Sequence, residues 1–355
     1  MQYFFVLGRN PELSLAEIFS YANREENSVL SFFQNQNSAI IEFKKSLQQN
    51  AISKLGGVIS IGEILAEGKL NEILQQLEKK EIYVGVKNNF SYTLLNFSNE
   101  SSLEKISEYM KKRFKAEKLK ASEKKEKGEM QYFLTENKGC FYFGKITEKC
   151  DYSEIERRDM KKPVRREELS IPPRLAKMMI NLSEIRNGEK MLDPFCGIGV
   201  ILQEALLQNI KTIGFDNDSN AILGAKQNLE WFGFSKENYS LMKADSTKIN
   251  LNQAEVLVTE PDFGELLKKI PSIEKAKHMQ KEYERLMISV LNNFKKRISG
   301  KFVFTAPLIS IGKKRLPCNI EEILKKTNLK LAKGFPIQDF RESQIVGREI
   351  YVLER

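Results

Sequence analysis

The 355-residue chain reads as an α/β protein: a doubly wound, mostly parallel sheet in the C-terminal half, preceded by two smaller α+β units. Three observations predict this. From Ser170 onward, strand-like and helix-like segments alternate, the pattern of βαβ units. Earlier segments mix short aromatic and β-branched runs with single amphipathic helices and show no such alternation. Between the two patterns, residues 149–170 are polar and rich in Lys and Arg, as a linker would be. With 41% hydrophobic and 29% charged residues, the chain can bury a core, which excludes a disordered, collagen-like or disulfide-scaffold protein.

Element by element, the first unit (1–60) opens with a strand, Tyr3-Phe4-Phe5-Val6-Leu7. A helix follows from Pro11, whose missing N–H is harmless in a first turn. Ser38–Phe43 and the glycine-bounded run Gly56–Gly62 read as strands. In the second unit (61–148), Ile82–Val86 and Tyr92–Phe97 are predicted strands. Leu103, Ile106, Met110 and Phe114 share one helical face, and Gln131–Leu134 with Gly139–Ile146 make a hairpin. Pro163 bars a regular helix through the middle of the linker. In the third unit (171–355), helices are predicted at Leu175–Leu182, Ile201–Leu207, Ala221–Trp231, 274–296 and Asn319–Lys326. They alternate with strands ending at Asp193, Asp216, Asp245, Glu260 and Ala306. Phe335–Phe340 and Arg348–Leu353 form a closing antiparallel pair.

The composition narrows the chemistry. Cys140, Cys150, Cys196 and Cys318 form no CxxC pair, so neither a zinc site nor a disulfide framework is expected. A single histidine, His278, lies in a polar run where a solvated helix position is expected, and its isolation argues against Ser-His-Asp hydrolysis. No run approaches the ~20 apolar residues needed to span a bilayer, and the N-terminus lacks a basic leader. A cytoplasmic protein with reduced thiols and no membrane partner is the expectation. A net charge of +10 favours a polyanionic partner, nucleic acid before membrane. The segment 111–127 carries nine Lys/Arg against three Glu. It reads either as a solvated helix end or as a phosphate-contacting edge.

The strongest local signal is Leu192-Asp193-Pro194-Phe195-Cys196-Gly197-Ile198-Gly199-Val200. A strand delivers an acid, a glycine turn follows, and a helix begins. Gly197 and Gly199 let the backbone approach a ligand. The turn lacks the third glycine of a dinucleotide fingerprint and the Walker lysine, so NAD and ATP are disfavoured. The second strand ends at Asp216, followed by Asn217, where an acid accepts ribose hydroxyls. The third ends at Asp245-Ser246, suited to an adenine amine. Asp218 has a simpler role open to it, capping the next helix. S-adenosylmethionine fits these strand-end acids better than a nucleoside triphosphate. After the fourth strand comes Glu260-Pro261-Asp262-Phe263-Gly264. An exocyclic base amine is a poor nucleophile. A carboxylate and a backbone carbonyl that accept its N–H groups, with an aromatic that stacks the base, suit its methylation.

Asp193–Val200 resembles the Asp-Pro-Phe-Cys-Gly-Ser-Gly-Thr motif of the THUMP-domain tRNA (guanine-N2-)-methyltransferases that modify tRNA position 10. Arg158-Asp159-Met160, Lys162-Pro163 and Ile171-Pro172-Pro173-Arg174-Leu175-Ala176 are similar to the segment before their catalytic domain, and Tyr3–Ser14 to the N-terminus of archaeal-type members. The resemblance implies a ferredoxin-like region (1–60), a THUMP-like RNA-binding domain (61–148), a linker (149–170) and a Rossmann-like methyltransferase domain (171–355). It implies S-adenosylmethionine as cofactor, held by Pro173, Asp193, Pro194, Phe195, Cys196, Gly197, Gly199, Asp216, Asn217, Asp245 and Ser246. It implies catalysis by Glu260, Pro261 and Phe263, tRNA as partner, and in some relatives a small activating protein. This chain departs from the family's Asp-Pro-Pro-Tyr: Glu260 adds a methylene of reach, Asp262 a second negative charge, and Phe263 lacks a hydroxyl. Val200 replaces the threonine. Two other readings stay open: an RNA-binding protein whose chemistry has weakened, and an amino methyltransferase acting on another RNA, DNA or protein.

Overall fold

The computed structural model describes residues 1–83, 88–166, 170–250 and 253–355. The chain forms two compact units. One consists of Met1–Ser14, Asn27–Ser53 and Gly57–Asp151, the other of Leu15–Glu26, Lys54–Gly56 and Tyr152–Arg355.

The elements of the first stretch are β1 (Gln2–Leu7), α1 (Pro11–Arg24), β2 (Val29–Asn35), β3 (Ser38–Phe43), β4 (Val58–Gly68), α2 (Leu70–Glu78), β5 (Asn89–Phe97), α3 (Glu100–Ala116), β6 (Lys120–Glu123), β7 (Met130–Asn137) and β8 (Cys140–Lys149). Their strands form one eight-stranded sheet, β2-β3-β1-β4-β8-β7-β5-β6. The expected boundary at residue 60 therefore falls inside β4, a strand that pairs with β1 on one side and β8 on the other. Backbone pairing, which composition does not report, joins the two stretches.

Phe133 on β7 shows how this sheet packs. It is fully buried and stacks on Phe4 with centroids 3.7 Å apart. Gly62 and Gly144 make room for its ring, since a Cβ on either would lie 2.8 or 2.4 Å from ring carbons. The predicted helical face holds: Ile106, Met110 and Phe114 of α3 are buried in the core around Tyr92 and Tyr132.

Three elements of the first stretch have no counterpart in the sequence reading; one is the short strand β6, which pairs parallel with β5. Strand β2 leaves Leu30 and Phe32 exposed, so it shows no alternation of core and solvent faces. Helix α2 spans only nine residues and buries Ile73 and Leu77. Of the predicted strand Ile82–Val86, residues 84–86 lie outside the described residues. Ile82 is buried, and its carbonyl accepts from the Tyr132 hydroxyl at 2.8 Å. In the basic 111–127 segment, Lys111 pairs with Glu123 at 2.9 Å and Arg113 donates to the carbonyls of Leu77 and Lys80, whereas Lys115, Lys118, Lys120, Lys124, Lys125 and Lys127 are exposed.

The second stretch contains α4 (Tyr152–Lys161), α5 (Pro173–Leu182), β9 (Lys190–Asp193), α6 (Val200–Leu206), β10 (Lys211–Asp216), α7 (Ser219–Trp231), β11 (Tyr239–Lys243), β12 (Val256–Thr259), α8 (Ile273–Phe294), β13 (Phe302–Ile311), β14 (Lys314–Leu316), α9 (Ile320–Thr327), β15 (Lys330–Leu331), β16 (Ile337–Asp339) and β17 (Val346–Glu354). The sheet order is β11-β10-β9-β12-β13-β17-β15, with β14 on β13 and β16 on β17. Strands β9 to β13 are mutually parallel, and β17 runs antiparallel between β13 and the short β15 and β16. This is the doubly wound sheet with a closing antiparallel strand. The chain leaves β9 toward β10 and returns on its other side at β12, so the switch point lies between β9 and β12.

The linker differs from expectation. Residues 152–161 form α4, which ends before Pro163, and its Arg158 is buried against Glu204 at 3.1 Å. A charged residue reads as solvated until the fold supplies its counterion. Residues 164–166 lie along α7: the Val164 N–H donates to Asn228 and Arg166 pairs with Asp218 at 2.8 Å. Residues 167–169 lie outside the described residues. His278 is exposed on α8, 3.4 Å from Glu282, as a solvated helix position requires.

Truncating the ring that fills the glycine-lined space tests the first sheet. Phe133→Ala lowers unfolding stability by about 3–5 kcal/mol in denaturant titrations, the range for an aromatic removed from a core. A change below ~1 kcal/mol would mean that the sheet does not depend on this contact.

Candidate active site

The carboxyl ends of β10, β9 and β12 lie side by side, with Gly214 opposite Asp193 and Leu257 opposite Leu192 in register. Asp193 ends β9 at 1% exposure. Its Oδ1 accepts from the Thr259 hydroxyl at 2.6 Å and from the Phe195 N–H at 3.2 Å. Burial pushes its carboxyl up to about 7, against the pull of those two hydrogen bonds; the charges of Asp216 and Glu260 add to the rise.

The turn after Asp193 is closed by its own backbone and by β10. The Cys196 N–H donates to the Phe215 carbonyl, and the Gly199 N–H to the Cys196 carbonyl, both at 2.8 Å. Gly197 has φ +51° with open space where a Cβ would stand. Gly199 caps α6 at φ +86°, and a Cβ there would lie 3.3 Å from that of Ala225. The Cys196 thiol is buried and pushed well up by burial, so it packs rather than reacts. Gly214 escaped the sequence reading. A Cβ on it would meet Leu202 at 2.6 Å and the Cys196 sulfur at 3.0 Å, so only glycine lets the turn sit on β10.

Asp216 joins this turn directly. Its Oδ2 accepts from the Gly197 N–H and its Oδ1 from the Asp218 N–H, both at 2.9 Å. Asp218 caps α7 by accepting from the Asn220 N–H at 2.8 Å. Asn217 is exposed beside Asp216. Ser246 is buried and donates to the Pro194 carbonyl at 2.5 Å, tying the third strand end to the turn. Asp245 is exposed, and its Oδ1 closes its own turn by accepting from the Thr247 hydroxyl and N–H. Those bonds and Lys248 hold its carboxyl below the ordinary range. The fold thus draws Asp193, Pro194, Phe195, Cys196, Gly197, Gly199, Asp216 and Ser246 into one set of contacts. Pro173 lies at the first position of α5.

Glu260 follows β12 immediately. Its two carboxylate oxygens accept from Arg348 of β17, Oε2 from Nε at 2.7 Å and Oε1 from Nη2 at 2.9 Å. The Thr305 hydroxyl of β13 donates to Oε2 at 3.1 Å. The side chains are 10% and 20% exposed. Removing one partner of such a pair strands the other charge, at about 3–5 kcal/mol when buried. The added methylene of Glu260 is therefore used to reach Arg348. Pro261 is buried, and Phe263 is half-buried with its ring edge-on to Tyr283, centroids 6.2 Å apart. Asp262 is exposed and accepts from the Gly264 N–H at 3.0 Å, so its charge closes a surface turn instead of entering the site.

Arg348 and Thr305 are the functional candidates that sequence reasoning missed. The signal was present in Arg348, a charged residue in a strand whose next positions, Ile350 to Leu353, are buried.

Substitution at the turn separates the two glycines. Gly199→Val places a β-branched residue at positive φ beside Ala225 and lowers stability by roughly 2 kcal/mol or more. Gly197→Asn, a residue that tolerates this conformation, costs less than about 1 kcal/mol. Thermal unfolding of both variants checks the order, and equal losses would contradict it.

Residues 163–306 match the family model of the RMKL-like methyltransferase domain. Residues 18–227, more than half of the chain, match the DNA methylase family model. A tRNA (guanine(10)-N2)-dimethyltransferase of Methanothermobacter thermautotrophicus is 35% identical over 96 residues, 27% of this chain. The matched part spans only 28% of that relative's own length. Among solved structures, TrmN from Thermus thermophilus superposes with a TM-score of 0.59 over 100% of both chains at 13% identity. A methyltransferase solved with SAH superposes with a TM-score of 0.52 over 99% of this chain and 97% of its own, at 14% identity. At these identities the superpositions establish the fold, a mixed α/β methyltransferase architecture. The chain belongs to the DNA methylase family, whose model matches more than half of it.

Proposed function

We propose that this chain transfers a methyl group from S-adenosylmethionine to the exocyclic N2 amine of a guanosine in tRNA, at position 10. The observation that carries the proposal is Glu260-Pro261, a carboxylate acceptor and a backbone carbonyl, at the switch point of the sheet beside Asp193. The likeness to a tRNA (guanine(10)-N2)-dimethyltransferase supports the choice of guanine and of tRNA.

The residues fit the cofactor on their own chemistry. Gly197 leaves open space above the turn, and Asp193 is a dry carboxyl that a cation would neutralise. Asp193, Pro194, Phe195, Cys196, Gly197 and Gly199 would hold the methionine part, Asp216 and Asn217 the ribose hydroxyls, and Asp245 with Ser246 the adenine, with Pro173 at the rim. When bound, S-adenosylmethionine supplies an electrophilic methyl group whose carbon–sulfur bond breaks toward sulfur. Glu260 and the Pro261 carbonyl accept the N–H groups of the base amine, which turns its lone pair toward the methyl. Phe263 offers a face for the base, and its contact with Tyr283 fixes that face.

Residues 1–60 and 61–148 are proposed as the ferredoxin-like and THUMP-like parts that grip the RNA, joined to the methyltransferase domain through 149–170. The exposed lysines from Lys115 to Lys127 supply charge for phosphate contacts. Arg158 and Lys162, both buried and paired, do not. A cytoplasmic location is part of the same proposal. Among the described residues no helix is long and apolar enough to cross a membrane. A small activating partner belongs to the same proposal.

Incubation with methyl-labelled S-adenosylmethionine and unmodified tRNA, followed by nucleoside mapping, tests the reading. Label appears in N2-methylguanosine, and Glu260→Gln lowers the rate by ~100-fold, as loss of an oriented polar group does. Label confined to another nucleoside, or an active Glu260→Gln variant, would overturn it.

Asp193 generates a second expectation. Between the ordinary value of 3.8 and about 7, the folded chain holds a proton that the unfolded chain has released. Its ionisation therefore removes stability as pH rises through that window. The same ionisation creates the negative charge that a cationic cofactor prefers. Calorimetry is expected to show tighter S-adenosylmethionine binding at about pH 8 than at about pH 6. Asp193→Asn flattens that dependence, and an equal slope in the variant would assign it elsewhere.

A further inference from the structure

Glu260 does not stand alone at its strand end. Three adjacent strands converge on it: β12 carries it, β13 supplies the Thr305 hydroxyl, and β17 supplies the Arg348 fork. Thr305 is fully buried, so its hydroxyl cannot turn to solvent. A bidentate guanidinium–carboxylate pair fixes both planes, because two parallel N–H···O bonds allow no rotation of either group. Oε2 accepts from both Arg348 Nε and Thr305, whereas Oε1 accepts from Nη2 alone and keeps a lone pair for a further donor. The arrangement thus presents one acceptor atom, Oε1, in one orientation without consuming it.

The structure assigns Arg348 as the positioning residue of the methyl-transfer site, holding Glu260 oriented toward the amine that Glu260 receives. This rests on the methyltransferase reading above, and it adds a residue outside the catalytic turn, 88 positions along the chain.

The surroundings agree with this role. Burial would lower the Arg348 guanidinium, but the hydrogen bonds and charge of Glu260, with Asp339 of β16, outweigh it and raise it. Arg348 therefore stays charged throughout the working range. The groups facing Glu260 are Arg348 from β17, Thr305 from β13, Asp193 from β9 and Tyr283 from α8. Arg348 is the cation among them. Without it, the Thr305 hydroxyl is the one side-chain donor left to Glu260 among the described residues.

Arg348→Met and Arg348→Lys test the assignment through kinetics. Lysine retains the charge but not the fork. In Arg348→Met, kcat is expected to fall by ~100-fold, the scale of a misplacement near 1 Å, while KM for RNA changes little. Arg348→Lys recovers part of kcat. A raised KM with unchanged kcat would make Arg348 an RNA contact and overturn the assignment. So would a loss of activity that merely tracks loss of folded protein. Should the wild type transfer no methyl to any nucleic acid, the function reading fails separately. A crystal structure of Arg348→Met then decides the pair: Glu260 leaves its wild-type rotamer if the assignment holds and keeps it if not.

Discussion

A carboxyl group buried to 1% exposure organises the second unit. Asp193 cannot be left without partners in that environment, because an unpaired buried acid costs several kcal/mol. The fold meets it with a hydroxyl from β12 and an amide from its own turn. Those partners require β12 to lie against β9, which is the switch point itself. The glycine turn follows from the same constraint: the chain must reverse within a few residues while its amides face Asp193 and Asp216. Positive φ at Gly197 and Gly199, and the bare α-carbon of Gly214 beneath them, make that reversal possible.

The charge of the chain is divided between two uses. Arg158 and Lys177 enclose Glu204, whose carboxyl burial raises and these cations lower. Arg348 fixes Glu260, and Arg166 pairs with Asp218 behind the Asp216 strand end. These cations hold parts of the second unit in place. The lysines at the end of α3 and beyond it are exposed. The formal charge of +10 already counts the acids that the paired cations face, so the pairing leaves the net charge unchanged while taking those particular cations away from a partner.

The candidate site was legible to the extent that it is local. Strand, acid, glycine turn and helix follow one another within Leu192–Val200, and the acids of β10 and β12 end predicted strands. Asp218 proved to be the helix cap that its position allowed. Asp262 illustrates the opposite case: adjacency to Glu260 suggested a second charge in the site, yet the backbone turns it outward to the Gly264 amide. Asp245, likewise, spends one oxygen on its own turn.

Sequence alone determined the alternation of strands and helices in the C-terminal half, the apolar face of α3 and the acids at the strand ends. Each depends on residues within a turn or two of one another, and periodicity and turn chemistry act over that range. Only the tertiary structure decided that 1–60 and 61–148 share one sheet, that the polar linker contains a helix anchored by a buried arginine, and that Glu260 is held by Arg348. Each of these is a pairing between residues distant in the chain. Composition records that a charge or a strand edge exists, but its partner is chosen by which segments the sheet order brings within 3 Å.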